Sequence, residues 1–525
     1  MASTTVEMTA TLNAPTPDYK LAEDTLDGEP VAAGDDIIVV DGSSTLSLGP
    51  DSLVLTKSTH AKPKRTCGII PTSDSSNASE SIPLYNVLWA ELASPSTLVI
   101  DFATQQSSKN SAWETYGPAK LRKRAKVLVN PHAGPGGADK LWEHEAKPIF
   151  EAARMALDVV RTKYSGEAIE IAEKTDIDAY DTIVACSGDG LPHEIFNGLG
   201  KRPDARKALA QLAVSHIPCG SGNAMSCNLY GTHRASLAAL AIVKGVPTPM
   251  DLVSITQGDR RILSFLSQSL GIVAESDLAT EHLRWMGGTR FTYGFLVRLF
   301  RKMVYPCDLA VQVEIEHKDD VKEHYRRVRS YHSLDALANG VDGAGDSGRS
   351  AADETADSGS SVAAAGSSEE GLPPLKYGTV NDKLPEGWEL VRYEKMGNFY
   401  CGNMAYMAPD ANFFSAACVN DGLMDLVCID GDVSPLTSIG LLLSVESGKF
   451  FENPLVSYRK IKAFRIIPRD QKDGYISIDG ERVPFEPFQA EVHKGLGTVI
   501  SKSGDFEAPG PRDWDNVTLA DRLMA

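Results

Sequence analysis

The chain has 525 residues, more than one hydrophobic core usually organises, so at least two domains are expected. Its formal net charge of −18 argues against a nucleic-acid binder, because phosphate contacts require clustered cations. Eight cysteines, spread singly with no CxxC pair and no secretory signal, point to reduced thiols and a cytoplasmic protein, and the apolar run Ile439 to Val445 is too short to span a bilayer.

Residues 1–34 are polar with little apolar periodicity and are expected to be disordered. Residues 35–115 contain short β-rich runs (IIVV, SLVL, PLYNVLWAEL, STLVIDF) and read as a small β-rich module, regulatory or membrane-facing. Within it, Cys67 lies near Lys62, Lys64 and Arg65; it reads as a loop thiol rather than a lipidation site. From residue 122 to 249, strands alternate with helical lengths: AKVLVNP, a helix from Ala138 to Leu157, LDVVRT, a helix near Ala168, then TIVACSGDG. That alternation predicts a doubly wound parallel α/β domain. Residues 250–505 turn β-rich and form a second domain, interrupted at 334–375 by an Ala/Ser/Gly/acid stretch expected to be a disordered insertion. A helix is predicted near Leu436 to Ser447, and 506–525 reads as a C-terminal tail.

Three strand-to-helix turns carry the chemistry. Thr182 to Cys186 is an apolar, β-branched strand, and Pro192 onward reads as a helix start, so Ser187-Gly188-Asp189-Gly190 lies at the carboxyl end of a strand. Ligands bind at that edge of an open α/β sheet, and a carboxylate held there can take a proton from an attacking hydroxyl. An ordinary Asp-Gly turn is the alternative. Asn130-Pro131-His132-Ala133-Gly134-Pro135-Gly136-Gly137 and Cys219-Gly220-Ser221-Gly222-Asn223 are glycine-rich turns in the same setting, where backbone amides can approach phosphate oxygens. All three turns would converge on one edge of the sheet. No GxxxxGK[ST] loop is present.

The pattern NPxxG, SGDG followed by HE and NGL, and PxGSGN resembles the lipid kinase family that includes diacylglycerol, ceramide and sphingosine kinases, over about Lys123 to Ser501. Ser269-Leu270-Gly271-Ile272-Val273-Ala274-Glu275-Ser276-Asp277-Leu278 and the segment from Glu281 to Phe291 look like sphingosine (long-chain base) kinases. The resemblance implies an α/β nucleotide-binding domain followed by a β-sandwich lipid-binding domain, with ATP and Mg²⁺ in the cleft between them. It implies that Asp189 is the catalytic base, and that Asn130, Pro131, His132, Thr162, Ser187, Glu194, Gly220, Ser221, Gly222, Arg284, Arg290, Asp479, Gly480 and Glu481 contact ATP. The lipid would meet Ser187, Gly188, Asp189, Gly190 and Asp277, whose carboxylate suits the ammonium of a sphingoid base. The metal ligands are not identified. Left to themselves, Asp277 reads equally as a helix N-cap, Glu194 as a solvated first-turn acid and Ile478-Asp479-Gly480-Glu481 as a hairpin turn.

Phe291, Phe295, Leu296 and Leu299, and the run Leu441-Leu442-Leu443, are candidates for a tail pocket or plain core. Unlike many sphingosine kinases, the first glycine turn carries His132, Pro135 and Gly137 instead of fixed cations. The expected function is a sphingoid base kinase working peripherally at a membrane surface. A ceramide or diacylglycerol kinase and a non-catalytic lipid-binding scaffold are the alternatives.

Overall fold

The computed structural model describes residues 2–9, 37–41, 44–49, 51–57, 78–94, 97–104, 119–134, 136–279, 293–294, 297, 304–339, 371–471 and 474–514. The chain divides into two compact units, Met1–Tyr116 with Lys147–Met155, and Gly117–Ala146 with Ala156–Ala525.

In the first unit, strands Ile37–Asp41, Ser44–Leu48, Ser52–Lys57 and Ala78–Pro83 form an antiparallel four-stranded sheet. Strands Ala2–Thr9, Thr97–Thr104 and Val87–Ser94 form a second sheet, of three. Leu46, Leu55, Ile82, Ile100 and Phe102 make its apolar core. The strand at residues 2–9 corrects the expectation that all of 1–34 is disordered. It pairs from Ala2↔Thr104 to Thr9↔Thr97, so its ladder comes from a partner remote in sequence that local composition does not reveal.

The second unit begins with strands β1 (Arg124–Val129), β2 (Ala156–Arg161), β3 (Thr182–Ser187) and β4 (Ala213–Pro218), paired in parallel in the order β2-β1-β3-β4. Every residue of β3 and β4 is buried, as expected for strands covered on both faces. Helices α1 (Ala138–Leu141), α2 (Glu167–Lys174), α3 (Gly190–Gly200), α4 (Ala205–Gln211), α5 (Ala224–Tyr230) and α6 (Ala235–Lys244) alternate with them. Strand order reverses between β1 and β3, the position where doubly wound sheets open a binding crevice. The helix predicted from Ala138 to Leu157 is shorter than expected. A π-helical segment, Trp142–Ala146, precedes Pro148, which lacks an amide donor, and the helix ends at Ala152. Arg154 then adopts a left-handed φ of 55°, and the Met155 amide donates to the Phe150 carbonyl, closing the helix end.

The other strands of this large sheet are β5 (Val246–Gln257), β6 (Arg260–Ser264), β7 (Ser267–Gly271), β8 (Cys307–Ile315), β9 (Glu389–Tyr393), β10 (Met396–Gly402), β11 (Met424–Asp430), β12 (Ser457–Pro468), β13 (Ile476–Ile478), β14 (Glu481–Val483) and β15 (Phe488–Ser501). Apolar side chains from β5, β7, β8, β10, β11, β12, β13 and β15 meet in one core that includes Val253, Leu270, Leu309, Phe399, Leu426, Phe464, Ile476 and Phe488. Strand β15 belongs to both halves, since it pairs with β4 at Val214↔Val499 and with β5 from Val246↔Ser501 to Thr256↔Gln489. The α/β half and the sheet-rich half are therefore joined by continuous hydrogen bonding.

Helices α7 (Ile272–Leu278), α8 (Lys318–Asn339) and α9 (Pro435–Glu446) complete this unit. Helix α8 carries ordered chain into the predicted insertion as far as Asn339, and from residue 371 the chain is again described. The described chain thus enters the expected insertion from both ends, and just beyond it the backbone amides of Lys376 and Tyr377 donate to Glu491. The expectation of disorder for 340–370 lies outside the described residues. Nor is 506–514 a free tail. Phe506 and Ala508 are buried, Trp514 packs edge-on against Tyr325, and Arg326 donates to the Trp514 carbonyl.

Candidate active site

The three turns meet at the carboxyl edge of β1, β3 and β4, and glycine makes the meeting possible. A Cβ on Gly220 would stand 2.4 Å from Gly188 Cα, and one on Gly134, at φ +55°, would stand 2.6 Å from the Cys219 carbonyl oxygen. Backbone therefore packs directly on backbone. Asn223, itself left-handed at φ 54°, closes the third turn by accepting from the Gly220 amide (2.8 Å) and donating to the Gly220 carbonyl (2.9 Å). His216 of β4 points a ring nitrogen, Nε2, at the Ser187 carbonyl 2.9 Å away, a contact that requires an N–H. Burial lowers the His216 pKa against the pull of nearby Asp189, which favours the neutral ring.

Beside these turns lies a cavity of about 990 Å³. Asn130, His132, Thr162, Ser187, Gly188, Asp189, Gly190, Glu194, Gly220, Ser221, Gly222, Asp277, Asp479, Gly480 and Glu481 all line it. Pro131 turns the chain next to them without lining the cavity, and Arg284 and Arg290 lie outside the described residues, as do Phe291, Phe295, Leu296 and Leu299.

Each carboxylate has a distinct setting. Asp189, at the start of α3, accepts the Ala224 amide through Oδ2 and the Met225 amide through Oδ1, both at 3.0 Å. These amides open α5, so the carboxylate is oriented by a helix N-terminus while each oxygen keeps acceptor capacity. Glu194 is not a solvated acid. It accepts the amides of Gly166 (2.9 Å) and Ala168 (3.2 Å), fixing the start of α2 and hence the loop holding Thr162.

Asp479 is buried. Its Oδ1 accepts from the Ser264 hydroxyl (2.6 Å) and the amides of Leu266 and Ser267 (3.0 Å each), and Oδ2 meets the Phe265 amide and His193 Nδ1 at 2.8 Å. The turn carrying Gly480 and Glu481 is thereby tied to helix α3. Burial disfavours a charged His193, but the hydrogen bond and charge of Asp479 outweigh it and raise the His193 pKa.

Asp277 is not a helix N-cap, because it sits at the far end of α7, where a Cβ on Gly480 would come 3.9 Å from its Oδ2. On the other side, a Cβ on Gly190 would come 3.1 Å from Glu481 Oε1. Asp277, Glu481 and Asp189 thus face one cavity from both halves of the unit.

Sequence reasoning missed part of the lining. Lys163 and His233 add groups able to carry positive charge near the first and third turns, and Val273, Met407, Phe413 and Val445 add apolar surface. The segment holding Met407 is a short hairpin, Tyr406–Ala408 with Ala411–Asn412, clamped by Asn228 of α5 through bonds to the Tyr406 amide and carbonyl at 2.9 and 2.8 Å. Pro409-Asp410 marks its turn, but nothing local places it at the cavity. Of the leucine run, Leu441 is buried, Leu442 lines the cavity and Leu443 is 57% exposed.

Among the described residues, no three His, Cys, Asp or Glu side chains are grouped to hold a metal ion. No helix among the described residues is long and apolar enough to cross a membrane. The seven cysteines described are buried and unpaired, and Cys67 lies outside the described residues.

Residues 124–255 match the diacylglycerol kinase catalytic domain, and residues 36–126 match a domain of unknown function (DUF7493). The chain is 36% identical over 430 residues to sphingoid long chain base kinase 5 of Saccharomyces cerevisiae, covering 75% of this chain and 61% of that protein. It is 31% identical to sphingoid long chain base kinase 4 of Schizosaccharomyces pombe, covering 83% of this chain and 91% of that one. Against sphingosine kinase 1 of Homo sapiens the identity is 28%, covering 74% of this chain and 92% of the other. With the three turns and the carboxylates in one cleft, the chain belongs to the sphingoid long-chain base kinases of the lipid kinase family.

Proposed function

We propose that this cleft transfers the γ-phosphate of ATP to the primary hydroxyl of a sphingoid long-chain base, with Asp189 accepting the hydroxyl proton as its oxygen attacks phosphorus and ADP leaves. The observation that carries this reading is the setting of Asp189. Two backbone amides hold its carboxylate at the cavity wall, between glycine turns suited to phosphates on one side and Asp277 on the other. Phosphoryl transfer depends on positioning and on neutralising charge. The amides of the Asn130 and Gly220 turns, with Lys163 and His233, supply both where the first turn lacks fixed cations. When bound with ATP, Mg²⁺ neutralises phosphate charge.

Glu194 acts on the nucleotide through the Thr162 loop, and Asp479 through the turn bearing Glu481. Asp277 favours a cationic base over ceramide or diacylglycerol, which carry no free amine. Because the substrate is a lipid, the enzyme works peripherally at a cytoplasmic membrane face.

Asp189→Asn keeps the shape and one amide acceptor but removes the base. Turnover is expected to fall about 10²- to 10⁴-fold with ATP binding intact. Near-normal turnover in this variant would sink the assignment. Asp277→Ala should raise KM for sphinganine and leave ATP affinity unchanged, and an equal loss with a neutral diacylglycerol would remove its role in selectivity.

A further inference from the structure

Helix α9 has no charged side chain from Pro435 to Val445, and its two faces differ in what they meet. Ser438, Leu441 and Val445 face inward, and Leu442 and Val445 line the cavity. The positions Leu436, Ile439, Gly440 and Leu443 follow the spacing i, i+3, i+4, i+7 and so share one stripe. Leu436 is 82% exposed and Leu443 57%, so this stripe faces outward. A helix apolar all round ordinarily lies in a core. This one lies at the surface.

Its hydroxyls are already satisfied. The Ser434 side chain accepts the Thr437 amide and pairs with the Thr437 hydroxyl at 2.8 Å. Ser438 donates to the Ser434 carbonyl, Ser444 to that of Leu441, and Ser447 to that of Leu443. In water such bonds gain little, whereas in a medium without hydrogen-bond partners they remove the cost of carrying serines. The outer stripe also adjoins the lipid cavity, because Leu442, which lines the cavity, and Leu443, which is exposed, are consecutive residues about 100° apart around the helix.

We infer that the outer face of α9 docks onto the bilayer that supplies the substrate, laying Leu436, Ile439 and Leu443 into the lipid beside the cavity entrance. This inference rests on the lipid kinase reading above.

The test measures pelleting with phosphatidylcholine vesicles containing sphinganine, and turnover of sphinganine presented either in those vesicles or in detergent micelles. The paired substitution Leu436→Glu with Leu443→Glu should weaken vesicle binding at least about a hundredfold, roughly tenfold for each leucine withdrawn. Micellar turnover should persist. The milder pair Leu436→Ala with Leu443→Ala should show a smaller loss of the same kind, which guards against misfolding of the glutamate pair. Wild-type vesicle binding by the alanine and glutamate pairs would overturn the inference. Absence of turnover in micelles by the unsubstituted protein would overturn the kinase reading instead, and pelleting would still decide the docking surface.

Discussion

Asp189-Gly190 and Asp421-Gly422 are the same dipeptide in opposite settings. Asp189 is half-buried at a cavity, and its described bonds come from two neutral amides. The Asp421 side chain is 1% exposed, and it takes the Lys460 ammonium at 2.8 Å and His324 at 3.0 Å. Lys460 also reaches Asp425 at 3.1 Å, which accepts the Tyr458 hydroxyl at 2.6 Å. Burial alone would raise the Asp421 pKa, but Lys460 outweighs it and the carboxyl stays ionised; burial holds Asp425 up at about 6. A carboxylate spent on a buried cation is a structural part. One held by two backbone amides keeps its place at the cavity with lone pairs to spare.

The largest effect that sharpens this contrast is on stability. Lys460→Met leaves two buried carboxylates without their cation and should cost about 3–5 kcal/mol, read as a drop in the urea midpoint. Molecules that remain folded should keep their KM for ATP. A stable Lys460→Met protein with altered KM would place the buried cluster in the active-site machinery and break the distinction.

Gly220→Ala comes next. Its methyl group meets Gly188 backbone, which cannot rotate away, so about 1–3 kcal/mol of stability should be lost, with a larger fall in kcat/KM as the turns separate. Alanine at Gly136, where a Cβ meets nothing within 4 Å though φ is +85°, is the control and should leave kcat/KM much less affected. Equal damage at the two positions would mean that contact between the turns is not what matters.

The three turns were legible in the sequence because each is defined locally, by a buried strand, small residues and a helix start within about a dozen positions. The meaning of their carboxylates was not. Asp479 reads as a hairpin turn because its partner His193 lies 286 residues away, and Glu194 reads as a solvated acid because the Gly166 amide is 28 residues upstream. Strand Ala2–Thr9 and the packed segment 506–514 were hidden for the same reason, since each is ordered by contacts with remote chain. The run FYCGNMAYM reads as strand through Met407, but its place at the cavity depends on Asn228, 178 residues away.

Glu194→Gln tests the loop-positioning role at smaller amplitude. The amide keeps one acceptor for Gly166 or Ala168 and turns donors toward the other, costing about 1–1.5 kcal/mol. If that cost falls on the Thr162 loop, KM for ATP should rise about five- to tenfold with little change in kcat. A fall in kcat at unchanged KM would place Glu194 in the chemical step.

The smallest effect is one of pH. His193 has its pKa raised in the folded protein, burial being outweighed by Asp479, while its unfolded value is about 6.5. The folded state therefore binds the proton more tightly, and stability from the His193–Asp479 contact is fully present below pH 6.5 and is lost as pH rises through the folded value. The bonds to Asp479 from Ser264 and three amides do not titrate in that range, so the turn should stay in place at alkaline pH. The stability difference between wild type and His193→Gln, measured by urea unfolding across pH 6 to 9, should accordingly shrink as pH rises. A difference that stays constant would show that Asp479 is held by neutral donors alone and that His193 contributes shape rather than charge.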